Sequence, residues 1–266
     1  MNMIQRVALT AATSLVFTTA AFAEIVSETV EYTVDGDSFT GYMVYDDDVE
    51  GERPGILVVH EWWGHNEFVR SQAERLAEEG YTAFALDMYG TGKLAEHPDD
   101  AKKFMQATMG DKKALEARFR EAMSILQDHE TVDESRIAAQ GYCFGGAVVL
   151  NMARLGLDLD GVVSLHGSLG SDIQPEQGAV TARILAYTGG ADPFVPVEQV
   201  TGFVSEMTKA GADLSLTVFP GVKHSFTSKA ADDTGEKFGL PMAYNKEAAN
   251  RAWEGTMAFY NDIFAQ

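Results

Sequence analysis

The sequence predicts an α/β fold in which a mostly parallel sheet is covered by helices on both faces. Short apolar segments alternate with longer segments whose apolar residues recur every three or four positions. The short segments are apolar throughout, as expected of strands that are buried on both faces. The connections are brief, and 266 residues suit one such domain, which we place at residues 24–266.

Each element follows from its local pattern. Residues 25–34 and 39–45 alternate apolar and polar side chains around Asp35-Gly36-Asp37, which predicts a hairpin. Asn66 and Gly80 are typical of the start and end of a helix. The predicted buried strands cover residues 54–60, 81–86, 136–142, 162–166, 183–188 and 214–219. The predicted helices cover residues 66–79, 145–154, 197–210 and 245–264, and another has Leu115, Phe119, Met123 and Leu126 on one face.

The most informative motif, Gly141-Tyr142-Cys143-Phe144-Gly145-Gly146, follows the strand predicted at 136–142. A strand that enters a helix through Gly-x-Cys-x-Gly is typical of a nucleophile elbow, here with sulfur in place of oxygen. The glycines on either side let the sharp turn form. Cys143 then lies at a helix N-terminus, where the dipole favours thiolate, and the Phe144 N–H points to the position of an oxyanion. The alternative is an inert, buried thiol.

Two further residues complete a candidate triad. Asp192 follows the strand at 183–188 and His224 follows the strand at 214–219. The carboxyl ends of parallel strands share one edge of the sheet, so both residues should lie near Cys143. His224 can act as the base that a thiol requires, and Asp192 can orient its ring. The chain order of nucleophile, acid and histidine is that of α/β-hydrolases.

The segment His60-Glu61-Trp62-Trp63-Gly64-His65 follows the first central strand. Its histidines are five positions apart, whereas the zinc-protease motif has a spacing of four on a helix, so we predict no metal site. In the predicted fold this loop supplies a second oxyanion donor, which we assign to the Trp62 N–H. His166 ends another strand, and both a pocket contact and a structural role fit its position.

With these motifs the sequence resembles the dienelactone hydrolase family from about residue 29 to residue 264, nearly the whole of the predicted mature chain. The segments that carry the resemblance are Val58-Val59-His60-Glu61-Trp62-Trp63-Gly64, Leu86-Asp87-Met88-Tyr89-Gly90, Gly141-Tyr142-Cys143-Phe144-Gly145-Gly146, Gly189-Gly190-Ala191-Asp192, Lys223-His224-Ser225-Phe226 and the tail at 244–253. The resemblance implies the α/β-hydrolase fold and a Cys-His-Asp triad on Cys143, His224 and Asp192.

The resemblance also implies a catalytic role for Glu61. The family has a glutamate at this position that contacts the resting thiol and takes part when substrate activates it. A buried carboxylate beside a thiol opposes thiolate formation by like-charge repulsion. Our hypothesis is that Glu61 thereby limits oxidation of Cys143 between turnovers.

The substrate pocket departs from the family pattern. Members that take dienelactone hold its carboxylate with arginines, one shortly after the strand that contains Asp87 and one shortly after the catalytic histidine. Here those segments carry Lys93 and Lys229, and lysine is a poorer bidentate partner. We predict an aromatic pocket for a small planar or apolar acyl group. Beside Trp62, its predicted residues are Trp63, Tyr89, Tyr142, Phe194 and Phe226.

Residues 1–23 have the layout of a secretory signal peptide, with Arg6, an apolar stretch at 7–19 and the cleavage site Ala21-Phe22-Ala23. The alternative is an uncleaved anchor. We predict cleavage after Ala23 and an exported protein, periplasmic or secreted, that has no membrane partner afterwards.

The formal charge of −20 disfavours nucleic-acid binding. Cys143 is the only cysteine, so an internal disulfide cannot form.

Together these features predict a hydrolase that cleaves a small carboxylic ester or lactone through a thioester on Cys143, without a cofactor. Three alternatives leave more features unexplained. They are a thiol-dependent peptidase or acyl transferase on the same fold, a ligand-binding member without turnover, and a metal hydrolase that uses His60 and His65. A monomer is compatible with the sequence.

Overall fold

The computed structural model describes residues 25–265. The signal peptide predicted at residues 1–23 lies outside this range, so its cleavage stays a prediction. The described chain forms eight strands, which are β1 (Ile25–Val34), β2 (Asp37–Asp46), β3 (Arg53–Val59), β4 (Thr82–Leu86), β5 (Val132–Tyr142), β6 (Gly161–Leu165), β7 (Arg183–Gly189) and β8 (Leu214–Phe219).

Seven helices connect the strands or follow them within the same residues. They are α1 (Glu67–Glu78), α2 (Pro98–Gly110), α3 (Lys112–Gln127), α4 (Phe144–Arg154), α5 (Val197–Ala210), α6 (Ala231–Phe238) and α7 (Lys246–Phe264). None of the helices in this part of the chain has the length and apolar character needed to cross a membrane.

The strands form one sheet in the order β1-β2-β4-β3-β5-β6-β7-β8. β1 and β2 form the predicted antiparallel hairpin, and β2 also pairs antiparallel with β4. The six strands from β3 to β8 run parallel, which confirms the mostly parallel sheet. Their carboxyl ends therefore lie at one edge, where the connecting loops can form a site.

Helices cover both faces of this sheet, as predicted. On β3, Leu57 and Val59 belong to one apolar cluster, and Ile56 and Val58 belong to another. Successive strand side chains point to opposite faces, and all four of these side chains are fully buried. The first cluster includes side chains of α3, α4 and α5, whereas the second includes side chains of α1 and α7. Burial on both faces explains why the strand segments are apolar throughout.

Two helices, α2 and α6, have no counterpart in the sequence prediction. Each buries only two residues, so neither shows a continuous apolar stripe. The start of α2 is also unusual, because the His97 ring caps it by accepting a hydrogen bond from the Asp99 N–H at 3.3 Å. Serine, threonine, aspartate and asparagine are the usual cap residues. Both helices follow loops at the carboxyl edge of the sheet.

The turn between β5 and α4 is a single residue, Cys143, with φ 53° and ψ −112°. A positive φ strains a residue other than glycine. Two glycines let the chain turn here in close contact with its neighbours. A Cβ on Gly141 would overlap the backbone oxygen of Gly145, and a Cβ on Gly145 would overlap that of Val59. Strand and helix are therefore in backbone contact, as the elbow motif predicts.

Gly141→Ala should lower the free energy of unfolding by about 1–3 kcal/mol, because the added methyl group has to displace backbone atoms rather than a flexible side chain. Thermal unfolding of the purified protein measures this change, since each kcal/mol shifts Tm by roughly 2–4 °C in a domain of this size.

Gly202→Ala is the matched control. Gly202 lies on the exposed side of α5, and a Cβ there would meet nothing within 4 Å. Alanine favours a helix over glycine by about 0.5–1 kcal/mol, so this variant should be as stable as the wild type or more stable. A Gly141→Ala protein that keeps the wild-type Tm would contradict the close contact at the turn.

Candidate active site

Three loops at the carboxyl edge carry the predicted triad. Cys143 follows β5, Asp192 follows β7 and His224 follows β8. These strands are joined through β6 into a continuous parallel block. Residues that are far apart in sequence therefore meet above neighbouring strand ends.

The predicted base and acid are hydrogen-bonded to each other. His224 Nδ1 lies 2.7 Å from Asp192 Oδ2, and both residues are buried. An ionised carboxylate only accepts, so Nδ1 carries the proton and donates it, which leaves Nε2 available to another partner. The second carboxylate oxygen, Asp192 Oδ1, accepts from the Phe194 N–H at 2.8 Å. The carboxylate is thus held in place, and it orients the imidazole ring.

His224 also interacts with the thiol. Burial lowers the pKa of His224, but several effects outweigh it and raise the pKa to about 10. In order of size, they are the charge of Cys143, the hydrogen bond that His224 donates to Asp192, the hydrogen bond between His224 and Cys143, and the charge of Asp192. The surroundings therefore favour the protonated form of the His224 imidazole at neutral pH.

His166 lies against the backbone of Cys143. It is fully buried, and its Nδ1 accepts a hydrogen bond from the Cys143 N–H at 3.1 Å. Its Nε2 therefore carries the proton and donates to Thr227 Oγ1, 2.8 Å away, in the loop that contains His224. Burial and then the charge of His224 hold the pKa of His166 well below 6.5. His166 is thus a neutral support that links two loops of the site.

Glu61 is buried, and its hydrogen-bond partner is Ser225, the residue after His224. Ser225 Oγ donates to Glu61 Oε1 at 2.9 Å, and Ser225 has a positive φ of 53°. Burial raises the pKa of Glu61, although the Ser225 hydrogen bond and the charge of His224 act in the opposite direction. Glu61 therefore lies beside the histidine loop. The contact of Glu61 with the resting thiol stays a prediction. In the sequence, only the position directly after His224 points to Ser225.

Phe144 and Trp62, the two predicted oxyanion donors, line the cavity that contains Cys143. Phe144 is the first residue of α4, and the first N–H groups of a helix have no partner within it. The loop that contains Trp62 approaches α4 through a hydrogen bond from the Gly145 N–H to the His60 carbonyl oxygen at 3.1 Å. The two donor-bearing segments are therefore adjacent.

The cavity around Cys143 has a volume of about 630 Å³, which suits a small molecule. Its apolar walls come mainly from α2 and from the segment after α6. Their apolar side chains are Pro98, Met105, Met109, Leu240 and Met242, and Ala147 adds to them from α4. Apart from Cys143 and His224, the polar residues that line it are Asp99, Lys102, Gln106 and Ser168.

Of the six aromatic residues predicted for the pocket, Trp62 and Phe194 line this cavity within the described chain. Tyr142 and Phe226 belong to the apolar cluster on the opposite face of the sheet. Tyr142 directly precedes Cys143, and consecutive strand side chains point to opposite faces. The sequence thus predicted that these residues lie near the site, but it did not predict the direction of their side chains.

Tyr89 and Trp63 lie near the cavity but outside its walls. The Tyr89 hydroxyl donates to the Trp62 carbonyl oxygen at 3.2 Å, and its ring centroid is 5.1 Å from that of Phe144. Trp63 lines a separate hollow of about 320 Å³ together with Glu61. The cavity walls that we expected to be aromatic are instead formed in part by methionines of α2 and of the segment after α6.

Lys102 is the basic residue of the cavity wall. Lys93 and Lys229 lie in the segments where dienelactone-binding members are expected to carry arginine, but neither lines this cavity. Lys229 instead lines a groove between α1 and α7. Lys102 was missed by the sequence analysis, because nothing in the local pattern places α2 over the site.

Metal-binding side chains do not converge in groups of three or more within residues 25–265. The two histidines of the alternative metal site each have a backbone partner. His60 Nδ1 lies 2.6 Å from the Glu61 carbonyl oxygen, and His65 Nε2 lies 2.9 Å from that of Ala85.

Cys143→Ala should lower the pKa of His224 from about 10, because it removes the largest influence that raises it. The folded-state pKa lies above the ordinary value of 6.5, so His224 stabilises the fold below about pH 6.5 and loses this contribution as the pH rises through about 10. Nitrogen-detected NMR of the imidazole rings across a pH titration measures the shift.

His65 is the internal control for this titration. Burial lowers the pKa of His65 to about 4, and Cys143 does not contribute to that value, so its titration should be the same in both proteins. An unchanged His224 titration in Cys143→Ala would show that the thiol and the imidazole do not interact.

Known proteins match most of this chain. The sequence model of the dienelactone hydrolase family matches residues 39–264. A protein of Aquifex aeolicus (strain VF5), provisionally named a carboxymethylenebutenolidase, is 27% identical over 237 residues, which cover 87% of this chain and 96% of that protein. A Bradyrhizobium protein, provisionally named a 2-oxo-3-(5-oxofuran-2-ylidene)propanoate lactonase, is 26% identical over 224 residues, which cover 79% of this chain and 84% of that protein.

A solved structure extends the likeness to the whole fold. It is that of a dienelactone hydrolase-like promiscuous phosphotriesterase from metagenomic libraries, which is 29% identical with a TM-score of 0.85. The match covers 91% of this chain and 99% of that chain. The chain therefore belongs to the dienelactone hydrolase family and has the α/β-hydrolase fold that its sequence predicts.

Proposed function

We propose that this protein hydrolyses a small carboxylic ester or lactone through a thioester on Cys143. The observation that carries the proposal is the buried hydrogen bond between His224 and Asp192 at the cavity that contains the thiol. Membership of the family supports hydrolysis, and the carboxymethylenebutenolidase and lactonase names of two relatives support a lactone as one substrate class.

In the first half of the reaction, His224 Nε2 holds the proton of the Cys143 thiol, and the thiolate Sγ attacks the carbonyl carbon of the ester. A C–S bond forms, and the π electrons move to the carbonyl oxygen, which the Phe144 and Trp62 N–H groups stabilise. The C–O bond to the leaving group then breaks, and His224 Nε2–H gives its proton to the leaving oxygen. The products are an alcohol, or the open alcohol arm of a lactone, and a thioester on Cys143.

In the second half, water attacks the thioester carbon while His224 Nε2 takes a proton from it. The C–S bond breaks, the acid leaves and the thiolate returns beside an imidazolium. Asp192 stabilises the imidazolium in both halves through Nδ1. The reaction requires no cofactor.

The cavity supports a substrate with an apolar body. Met105, Met109, Leu240 and Met242 form flexible apolar walls that adapt to different shapes. We also propose that the protein meets this substrate outside the cytoplasm, since residues 1–23 have the layout of a signal peptide.

Phosphotriester cleavage is a second candidate. The likeness to a promiscuous phosphotriesterase, with a TM-score of 0.85, favours it. A phosphoryl oxygen would use the same two N–H donors as an ester oxyanion, and the thiolate would attack phosphorus in place of carbon. Paraoxon turnover, measured beside ester turnover, separates the two activities.

Cys143→Ala should lower the turnover of para-nitrophenyl butyrate by roughly 10³-fold or more, because the triad loses its nucleophile. Initial rates measure the loss. Acid quenching of the wild-type protein during turnover should also show one butyryl group on Cys143 by mass spectrometry.

His129→Gln is the control for nonspecific damage, since His129 is a half-buried histidine whose side chain contacts Thr131, away from the cavity. It should keep wild-type turnover. Undiminished hydrolysis by Cys143→Ala would refute the mechanism. Stoichiometric labelling of Cys143 without any hydrolysis would favour a ligand-binding member, and turnover of amides or transfer to added amines would favour a peptidase or transferase.

Lys102→Gln should lower kcat/KM for an ester with a free carboxylate by about two- to fivefold, because an exposed charge pair contributes up to about 1 kcal/mol. Asp99 also lines the cavity and offsets part of the attraction. The comparison uses the para-nitrophenyl monoester of glutaric acid and the neutral para-nitrophenyl butyrate.

Lys103→Gln is the matched control, since Lys103 is an exposed neighbour on α2 that does not line the cavity. It removes the same charge from the protein and should leave both substrates unaffected. Equal effects of the two variants would mean that Lys102 acts only through the overall field of the protein.

A further inference from the structure

His60 is a buried histidine that the proposed reaction does not use. It follows β3 and is fully inaccessible to solvent. Its Nε2 accepts a hydrogen bond from the Met88 N–H at 3.2 Å, and its Nδ1 lies 2.6 Å from the Glu61 carbonyl oxygen. A backbone N–H can only donate, so Nε2 carries no proton. Nδ1 therefore holds the proton and donates it to Glu61.

The surroundings keep this ring neutral. Burial lowers the pKa of His60, against the smaller raising effects of Asp87 and of the Glu61 carbonyl. A second proton on Nε2 would also face the Met88 N–H, so that two donors would point at each other. One tautomer of the neutral imidazole is thus selected.

The hydrogen bond from His60 to the Glu61 carbonyl determines the direction of the Trp62 N–H. The Glu61 carbonyl and the Trp62 N–H belong to one planar trans peptide, in which the two groups point in opposite directions. Nδ1 of His60 and the Gly64 N–H both donate to this carbonyl oxygen, the latter at 3.1 Å. The Trp62 N–H is therefore directed away from the His60 ring. Its loop is also held by the Tyr89 hydroxyl, which donates to the Trp62 carbonyl oxygen at 3.2 Å.

His60 also contacts the segment that carries the other donor. Its ring stacks on that of Phe144, with centroids 5.5 Å apart and planes inclined by 28°. Its carbonyl oxygen accepts from the Gly145 N–H at 3.1 Å. One residue therefore touches both the loop that contains Trp62 and the first turn of α4.

We propose that His60 is a positioning residue that sets the Trp62 and Phe144 N–H groups at the spacing a single oxyanion requires. It does so through the Nδ1–H bond to Glu61 and through its contacts with Phe144 and Gly145. This inference rests on the proposed ester hydrolysis at Cys143 and adds a residue to its machinery. Its direct partners are backbone groups and the Phe144 ring, so it acts on the substrate only through them.

The test compares His60→Asn with His60→Gln. The amide nitrogen of asparagine lies close to the place of Nδ1 and can still donate to Glu61, whereas the longer glutamine places its amide near the place of Nε2. With para-nitrophenyl butyrate, kcat of His60→Gln should fall by about 10²-fold with little change in KM, the scale expected for loss of one oxyanion donor. His60→Asn should retain most of kcat.

Alkylation of Cys143 by iodoacetamide separates this effect from damage to the nucleophile, because alkylation forms no oxyanion. Its rate should be unchanged in both variants. His65→Gln is the matched control, since His65 is a buried histidine of the same segment whose Nε2 contacts the Ala85 carbonyl oxygen. It should lose stability but keep kcat.

Wild-type kcat in His60→Gln would overturn the inference, as would equal loss of kcat in both His60 variants or a parallel loss of alkylation rate. If either variant does not fold, NMR of the wild type decides. An aldehyde that forms a hemithioacetal at Cys143 should move the His60 Nδ1–H resonance downfield, because an oxyanion on the Trp62 N–H polarises the shared peptide. A resonance that does not move would overturn the inference. Failure of the wild type to hydrolyse any ester would instead refute the proposed function.

Discussion

The close backbone contact between β5, α4 and β3 is the constraint on which the site depends. Gly141 packs on Gly145, and Gly145 packs on the end of β3 at Val59. Without these contacts the left-handed conformation of Cys143 would be an uncompensated strain. With them, the thiol, the first N–H groups of α4 and the loop after β3 take up fixed relative positions. One turn therefore positions both the Cys143 thiol and the N–H groups that we propose as oxyanion donors.

Three buried histidines lie around this turn, and their charged neighbours decide which of them is protonated. Burial lowers the pKa of His60, His166 and His224 alike. Only His224 has both the thiol and a directly hydrogen-bonded carboxylate as partners, and its pKa rises to about 10. His60 and His166 instead have backbone and hydroxyl partners that fit the neutral ring. The surroundings thus keep the imidazoles of His60 and His166 neutral and favour the protonated form of His224.

The cavity walls are less tightly packed into the fold than Cys143, Asp192 and His224. The triad lies at the ends of buried parallel strands, whereas the walls come largely from α2 and the segment after α6. Helices α2 and α6 each bury only two residues. The flexible methionines of the cavity lie on α2 and in the segment after α6. Substitutions on α2 can therefore change the cavity walls without disturbing the strands that position Cys143, Asp192 and His224.

The sequence by itself determined the parallel sheet, the elbow and the chain positions of Cys143, Asp192 and His224. These features follow from local rules, namely apolar runs, glycines at a sharp turn and polar residues after strand ends. It did not determine which way Tyr142 and Phe226 point, or that α2 closes the cavity. It also could not place Ser225 beside Glu61. Those features depend on which face of the sheet a side chain occupies and on contacts between distant segments, and only the packed structure decides them.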